Sequence, residues 1–134
     1  MKETSWNDCI FNNSARKISP DIHRAESLKE TAMERISLIK TINEKNCNFV
    51  FEDYYTSSLE LLQALVFREG YNILNHVCLG YYLKDVLKRD NLYQIFDDVR
   101  YKRNSLTYYG KRMDFATAKQ AIEQCKKLMK ELEV

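Results

Sequence analysis

Glycine and proline are scarce in this chain: three and one, respectively, among 134 residues. An all-β fold spends many such residues on turns, so their scarcity argues against one, while the many Leu, Glu, Lys, Ala and Gln residues favour helix. Histidine is almost as rare. His23 and His76 are the only two, which leaves little material for imidazole chemistry. No uninterrupted apolar run approaches the roughly 20 residues of a membrane-spanning helix, and the N-terminus is polar rather than signal-like. These absences point to a cytoplasmic protein that does not engage a membrane. The four cysteines, Cys9, Cys47, Cys78 and Cys125, are widely scattered, with no CxxC pair and no His at zinc-ligand spacing. They read as reduced thiols: Cys78 and Cys125 as small apolar residues on helix faces, Cys9 and Cys47 as incidental loop thiols. No i,i+4 pairing of His with an acid and no ExxH pattern offers a metal site, and no cofactor is implied.

What is present suits a single domain. A chain of this length with 45% hydrophobic content can bury one core unaided. Residues 1–18 are polar, rich in Asn and Ser and without periodicity, and read as a partly disordered N-terminal extension in which Trp6 and Phe11 could still dock. From there to residue 134 the expectation is one helical domain. Ser19-Pro20-Asp21 combines a cap, a first-turn proline and an acid at a helix start. Ile22, Ala25, Leu28, Ala32, Ile36 and Ile39 then form a stripe running to about Asn43. A second helix, about Phe49 to Glu69, is apolar on nearly every side and therefore central, and Gly70 ends it. A third spans about Leu74 to Lys88. The fourth, about Leu92 to Tyr109, stops at Gly110, and the fifth starts at an Asp114 cap. Short connections imply antiparallel neighbours, as in an up-and-down bundle.

The net charge is only +2, too small to mark the whole surface as a nucleic-acid binder. Its distribution is more informative. Arg100, Lys102, Arg103, Lys111 and Arg112 lie in a stretch with no acid, so the rest of the chain is net acidic. At about 100° per residue Arg103 falls inside or beside the arc of Leu92, Phe96 and Val99, with Arg100, Asn104 and Thr107 continuing that side. A guanidinium bordering an apolar stripe calls for a carboxylate, a phosphate or a second subunit; otherwise it snorkels past the core edge or pairs with an acid such as Asp97 through its neighbours. Asp53, Glu52 and Glu60 on the second helix are candidate acids across the bundle. Tyr108 and Tyr109 beside Lys111 and Arg112 could stack on bases while the cations hold phosphate, or could simply pack. His76, at the start of the third helix, reads as a capping or core hydrogen-bonding residue, and His23 as solvated.

These residues resemble the HEPN family of small α-helical domains, named for presumed nucleotide binding. The resemblance spans about Pro20 to Leu132. It rests on an amphipathic opening helix, the buried helix from Asp53-Tyr54-Tyr55 to Phe67-Arg-Glu-Gly70, the Asn75-His76 start of the third, and Arg100-Tyr-Lys-Arg-Asn104 running into Tyr108-Tyr109-Gly110. The Arg-Asn step followed by an aromatic pair and Gly is its specific part. The resemblance implies an all-α fold, an antiparallel up-and-down four-helix bundle core with a short additional helix, paired as a homodimer. Active members are metal-independent ribonucleases carrying an Arg, a polar residue and, a few residues on, a His. Arg103 matches the Arg and Asn104 the polar residue, but the His would fall at Tyr108, Tyr109 or Gly110. A Tyr with a pKa of about 10 suits proton transfer near neutrality less well than a His. The resemblance therefore implies a non-catalytic protein that binds nucleotide, RNA or a separate minimal nucleotidyltransferase, within a toxin–antitoxin or related two-component module. Its ligand-binding residues are expected to be Arg100, Arg103, Asn104, Tyr108, Tyr109 and Lys111. One alternative is a ribonuclease toxin in which Tyr108 or a distant His76 replaces the missing group. Another is a structural adaptor with no nucleic-acid ligand, its Arg103 satisfied by Asp53 or Glu60.

Overall fold

A computed structural model describes residues 2–132. Its elements, in order, are α1 (Trp6–Phe11), β1 (Ala15–Lys17), α2 (Ile22–Ser37), α3 (Cys47–Arg68), β2 (Tyr71–Ile73), α4 (His76–Tyr81) running into a π-helical turn over Tyr82–Val86, α5 (Asp90–Tyr109) and α6 (Phe115–Glu131). Helix dominates, as the composition implies. The only strands among the described residues pair antiparallel, Ala15 opposite Ile73 and Lys17 opposite Tyr71. No helix among these residues is long and apolar enough to cross a membrane.

The apolar run read as a central helix is one. Along α3, Phe51, Tyr55, Leu62 and Val66 are buried together with Ser57 and Ser58, and the helix packs on both α2 and α6. The buried hydroxyls are not orphaned: Ser57 donates to the Ala32 carbonyl at 3.0 Å and Ser58 to that of Tyr54 at 2.8 Å, as burial of a polar group requires. The α5 and α6 boundaries also follow the sequence. Gly110 takes the left-handed conformation after α5, at φ +64°, and the Asp114 carboxylate accepts the Thr117 N–H at 2.7 Å to cap α6.

The start and end of α2 differ from expectation. Its cap is Asp21, which accepts the Arg24 N–H at 3.0 Å, so Ser19 and Pro20 lie outside the helix. It ends at Ser37 rather than near Asn43. Beyond it the side chain of Asn43 accepts the N–H groups of Lys45 and Asn46, while Asn46 accepts the N–H of Asn43. Such local side-chain acceptors offer the backbone an alternative to helical bonding. The third expected helix is likewise shorter, a six-residue α4 followed by the π-helical turn.

The N-terminal residues are a larger correction. The segment read as an extension folds against the body of the protein. Ser5 caps α1 by accepting the Asp8 N–H at 3.2 Å. Trp6 sets its ring edge-on to Tyr71 and Tyr82, with centroids 5.5 and 5.4 Å apart, and its backbone N–H donates to the Asp85 carboxylate at 2.9 Å. Cys9 and Cys78 form a disulfide joining α1 to α4. The reading of all four cysteines as reduced thiols therefore fails for this pair, because spacing along the chain says nothing about two residues brought together by tertiary packing. Cys47 and Cys125 are free and buried, and Cys47 belongs to α3 rather than to a loop. Burial pushes the Cys125 thiol up to about 12, which leaves it unreactive.

Candidate anion-binding site

The site begins with an asparagine. Asn75 caps α4 by accepting the Cys78 N–H at 2.8 Å, so capping falls to Asn75 and leaves the neighbouring His76 imidazole for another role. His76 Nδ1 lies 3.3 Å from the hydroxyl of Tyr55 on α3. The Tyr55 ring is itself fixed by stacking on Phe96 of α5. About two helical turns beyond Phe96, α5 brings Arg103 over the other groups: its guanidinium carbon is 5.7 Å from the Tyr55 ring centroid and 5.7 Å from that of Tyr108. Three helices thus assemble His76, Tyr55, Arg103 and Tyr108 in one place.

The five basic side chains of the Arg100–Arg112 stretch are not equivalent. Arg100 donates to Asp97 at 2.7 Å, and Lys102 to Asp98 at 2.8 Å and to Gln124 at 3.0 Å. Their charges are largely answered within the helix pair. Arg103 is different: it is partly buried, its hydrogen bond to the Asn104 side-chain oxygen is long at 3.5 Å, and no described carboxylate pairs with it. Glu60 is taken by Arg35, which Asp53 also influences, so neither acid satisfies Arg103 as the adaptor reading requires. A cation held between two rings gains from their quadrupoles yet keeps donors for an incoming acceptor.

The remaining expected residues lie at and beyond the end of α5. Tyr108 and Tyr109 are 68% and 76% exposed, so neither ring is spent in packing, although Arg103 lies over the ring of Tyr108. Arg112 lies over the ring of the exposed Phe49, 5.8 Å from its centroid, and Lys111 is exposed. His23 lies on an exposed part of α2, remote in role from the cluster.

Two electrostatic consequences follow. Burial, assisted by the charges of Arg103 and then Arg100, holds the His76 imidazole below its ordinary pKa, so it is neutral near pH 7. Burial pushes the Tyr55 phenol up to about 12 against the opposing pull of the same two arginines, so it keeps its proton.

The turn between α5 and α6 is held by Asn48, near the start of α3. Its amide nitrogen donates to the Met113 carbonyl at 3.0 Å and its oxygen accepts the Met113 N–H at 2.9 Å. Replacing Asn48 by alanine removes the partner of both the N–H and the carbonyl of Met113 and is expected to cost about 1–2 kcal/mol. Thermal unfolding together with hydrogen exchange at the Met113 amide measures this; unchanged protection would show that the turn holds without the clamp.

Sequence reasoning placed Arg103 and its neighbours on one side of α5 but missed Tyr55 and Asn48 as members of the site, and did not bring His76 to Arg103. These contacts span 21 and 65 residues of chain, and no local pattern encodes them. No protein-family model, curated protein or solved structure matches the chain.

Proposed function

We propose that this surface binds a phosphate-bearing ligand, a nucleotide or RNA, in a HEPN-like protein that does not cut it. The observation that carries the reading is Arg103, a partly buried guanidinium set between Tyr55 and Tyr108 with no described carboxylate to answer it. A phosphate supplies the missing anion through charge-assisted hydrogen bonds. Asn104 adds a polar contact, Tyr108 and Tyr109 open faces for bases, and Arg100 and Lys111 the surrounding positive field. On this reading α2, α3, α5 and α6 are the four core helices, α4 is the short additional one, and two copies pair. A separate nucleotidyltransferase of a two-component module would dock beside the same basic segment.

Titrating ATP and a short RNA against the wild type and Arg103→Ala at low salt tests the assignment. A loss of about tenfold or more is expected, the equivalent of one charge-assisted hydrogen bond, with affinity falling steeply as salt rises. Arg100→Ala is expected to lose less, because Asp97 already competes for that guanidinium. Equal binding by wild type and Arg103→Ala sinks the site.

The neutral imidazole of His76 beside Arg103 favours a second reading, metal-independent RNA cleavage with His76 as the proton-transfer group. Incubation with RNA in the presence of a chelator distinguishes the two. Cleavage that disappears in both His76→Gln and Arg103→Ala would replace the binding reading with this one.

A further inference from the structure

His76 is placed oddly for a residue that only packs. Its Nδ1 faces a tyrosine hydroxyl, which can donate to a bare ring nitrogen or accept from a protonated one. The Tyr55 contact therefore survives either charge state of the ring. Nε2 has no hydrogen-bond partner among the described residues. The groups that act on the imidazole are Tyr55 from α3 and the two guanidinia of Arg103 and Arg100 from α5, with Tyr108 of α5 next in the cluster. No described carboxylate from any neighbouring element acts on it, and Asp97 of α5 is engaged with Arg100. Without ligand, a proton on His76 would add a positive charge to a partly desolvated cluster in which no described carboxylate answers Arg103.

We propose that His76 is a proton-linked third contact of this site, taking up a proton when a terminal phosphate docks against Arg103 and thereby selecting phosphomonoester ends over internal phosphodiesters. The inference rests on the reading that the surface binds phosphate. A phosphodiester carries one negative charge, which Arg103 alone offsets. A monoester dianion carries a second charge, and that charge makes the imidazolium favourable where two cations had opposed it. Linkage is reciprocal: if the bound dianion draws a proton onto His76, then protons raise the affinity for the dianion. In the free protein the sign is opposite. A histidine held below its ordinary value costs folding stability as pH falls through the range where the unfolded chain takes up a proton, and a bound dianion recovers part of that loss.

The test follows the His76 ring by NMR as pH is varied, first alone, then saturated with sulfate, a dianion that does not itself titrate near neutrality, and then with dimethyl phosphate, a monoanion. His23 is the internal control. Sulfate is expected to move the His76 midpoint upward by about one unit, dimethyl phosphate by much less, and His23 is expected to stay put. In parallel, a short RNA bearing a 5′-phosphate is expected to bind several-fold more tightly than its 5′-hydroxyl counterpart at pH 6.5. That ratio should shrink at pH 8, approaching at most about tenfold change per pH unit for one linked proton. His76→Gln should lose the pH dependence of that ratio. Sulfate that binds in an Arg103-dependent way while the His76 midpoint stays unchanged overturns the proton linkage and leaves the phosphate reading standing. Absence of binding by sulfate and by both RNAs overturns the phosphate reading itself, and the proposal with it.

Discussion

Reduction of the Cys9–Cys78 disulfide is expected to lower the free energy of unfolding by about 4 kcal/mol. The two cysteines are 69 residues apart in sequence, and a cross-link restricts the unfolded chain more as the loop it closes grows, though only logarithmically. For a chain of this size the loss corresponds to a fall in Tm on the order of 10–15 °C. The bond also decides whether α1 stays in place, since that six-residue helix is too short to hold itself. Both sulfurs are fully buried, so a dithiol reaches them only after local opening, and slow reduction of the folded protein is part of the expectation. Thermal unfolding with and without dithiothreitol, checked against the Cys9→Ala/Cys78→Ala double variant, gives the measurement. A reduced protein, verified by mass, that melts with the oxidised one would show that the staple adds nothing beyond the contacts of Trp6.

Gly70→Ala should be the most damaging of the single methyl additions. Gly70 stands at φ +89°, and a Cβ built on it would lie 2.9 Å from the carbonyl oxygen of Ile18. The left-handed conformation alone costs a side chain roughly 1–2 kcal/mol, and displacing a backbone oxygen adds about as much again, for a total of about 3 kcal/mol. The place matters as much as the strain. The Ile18 N–H donates to the Gly70 carbonyl and the Asp21 N–H to that of Phe67, both at 2.9 Å, so one short stretch ties the end of α3 to β1 and to the cap of α2. Gly110→Ala provides the contrast. It shares the left-handed backbone, at φ +64°, but has nothing within reach of a new Cβ, and about 1 kcal/mol is expected. Denaturant midpoints for the two variants compare them directly, and equal losses would mean that crowding at Ile18 relaxes without cost.

These two sites also mark how far the amino-acid sequence could be read. Where structure depends on a local pattern, much of the reading held, the ends of α2 excepted. The continuous apolar run became the buried α3, Gly70 and Gly110 ended their helices, and Asp114 capped α6. Where structure depends on distant partners, it did not. The short α1 and β1 carry too few residues for periodicity and exist because Tyr71, Asp85 and Cys78 receive them. The candidate site divides the same way. Arg103 was visible as a cation out of place on an apolar face, because helical geometry fixes that relation within one element. The rings and imidazole that surround it come from α3 and α4, and their convergence belongs to tertiary packing. The imidazole that joins the Arg103 cluster stands on α4 and reaches it through Tyr55 of α3, a relation no pattern along α5 could show.

The Asn48 clamp has a consequence for how this surface can change. Both of its bonds go to main-chain atoms of residue 113, so the path of the turn is set without reference to the side chains it displays. Lys111 and Arg112 stand just before that anchor and are exposed. Substitutions there alter what the turn presents while the grip stays intact, so the two positions form an interchangeable fitting on a fixed mount. A fluorophore on Lys111→Cys would report on the turn without loosening the Asn48 grip.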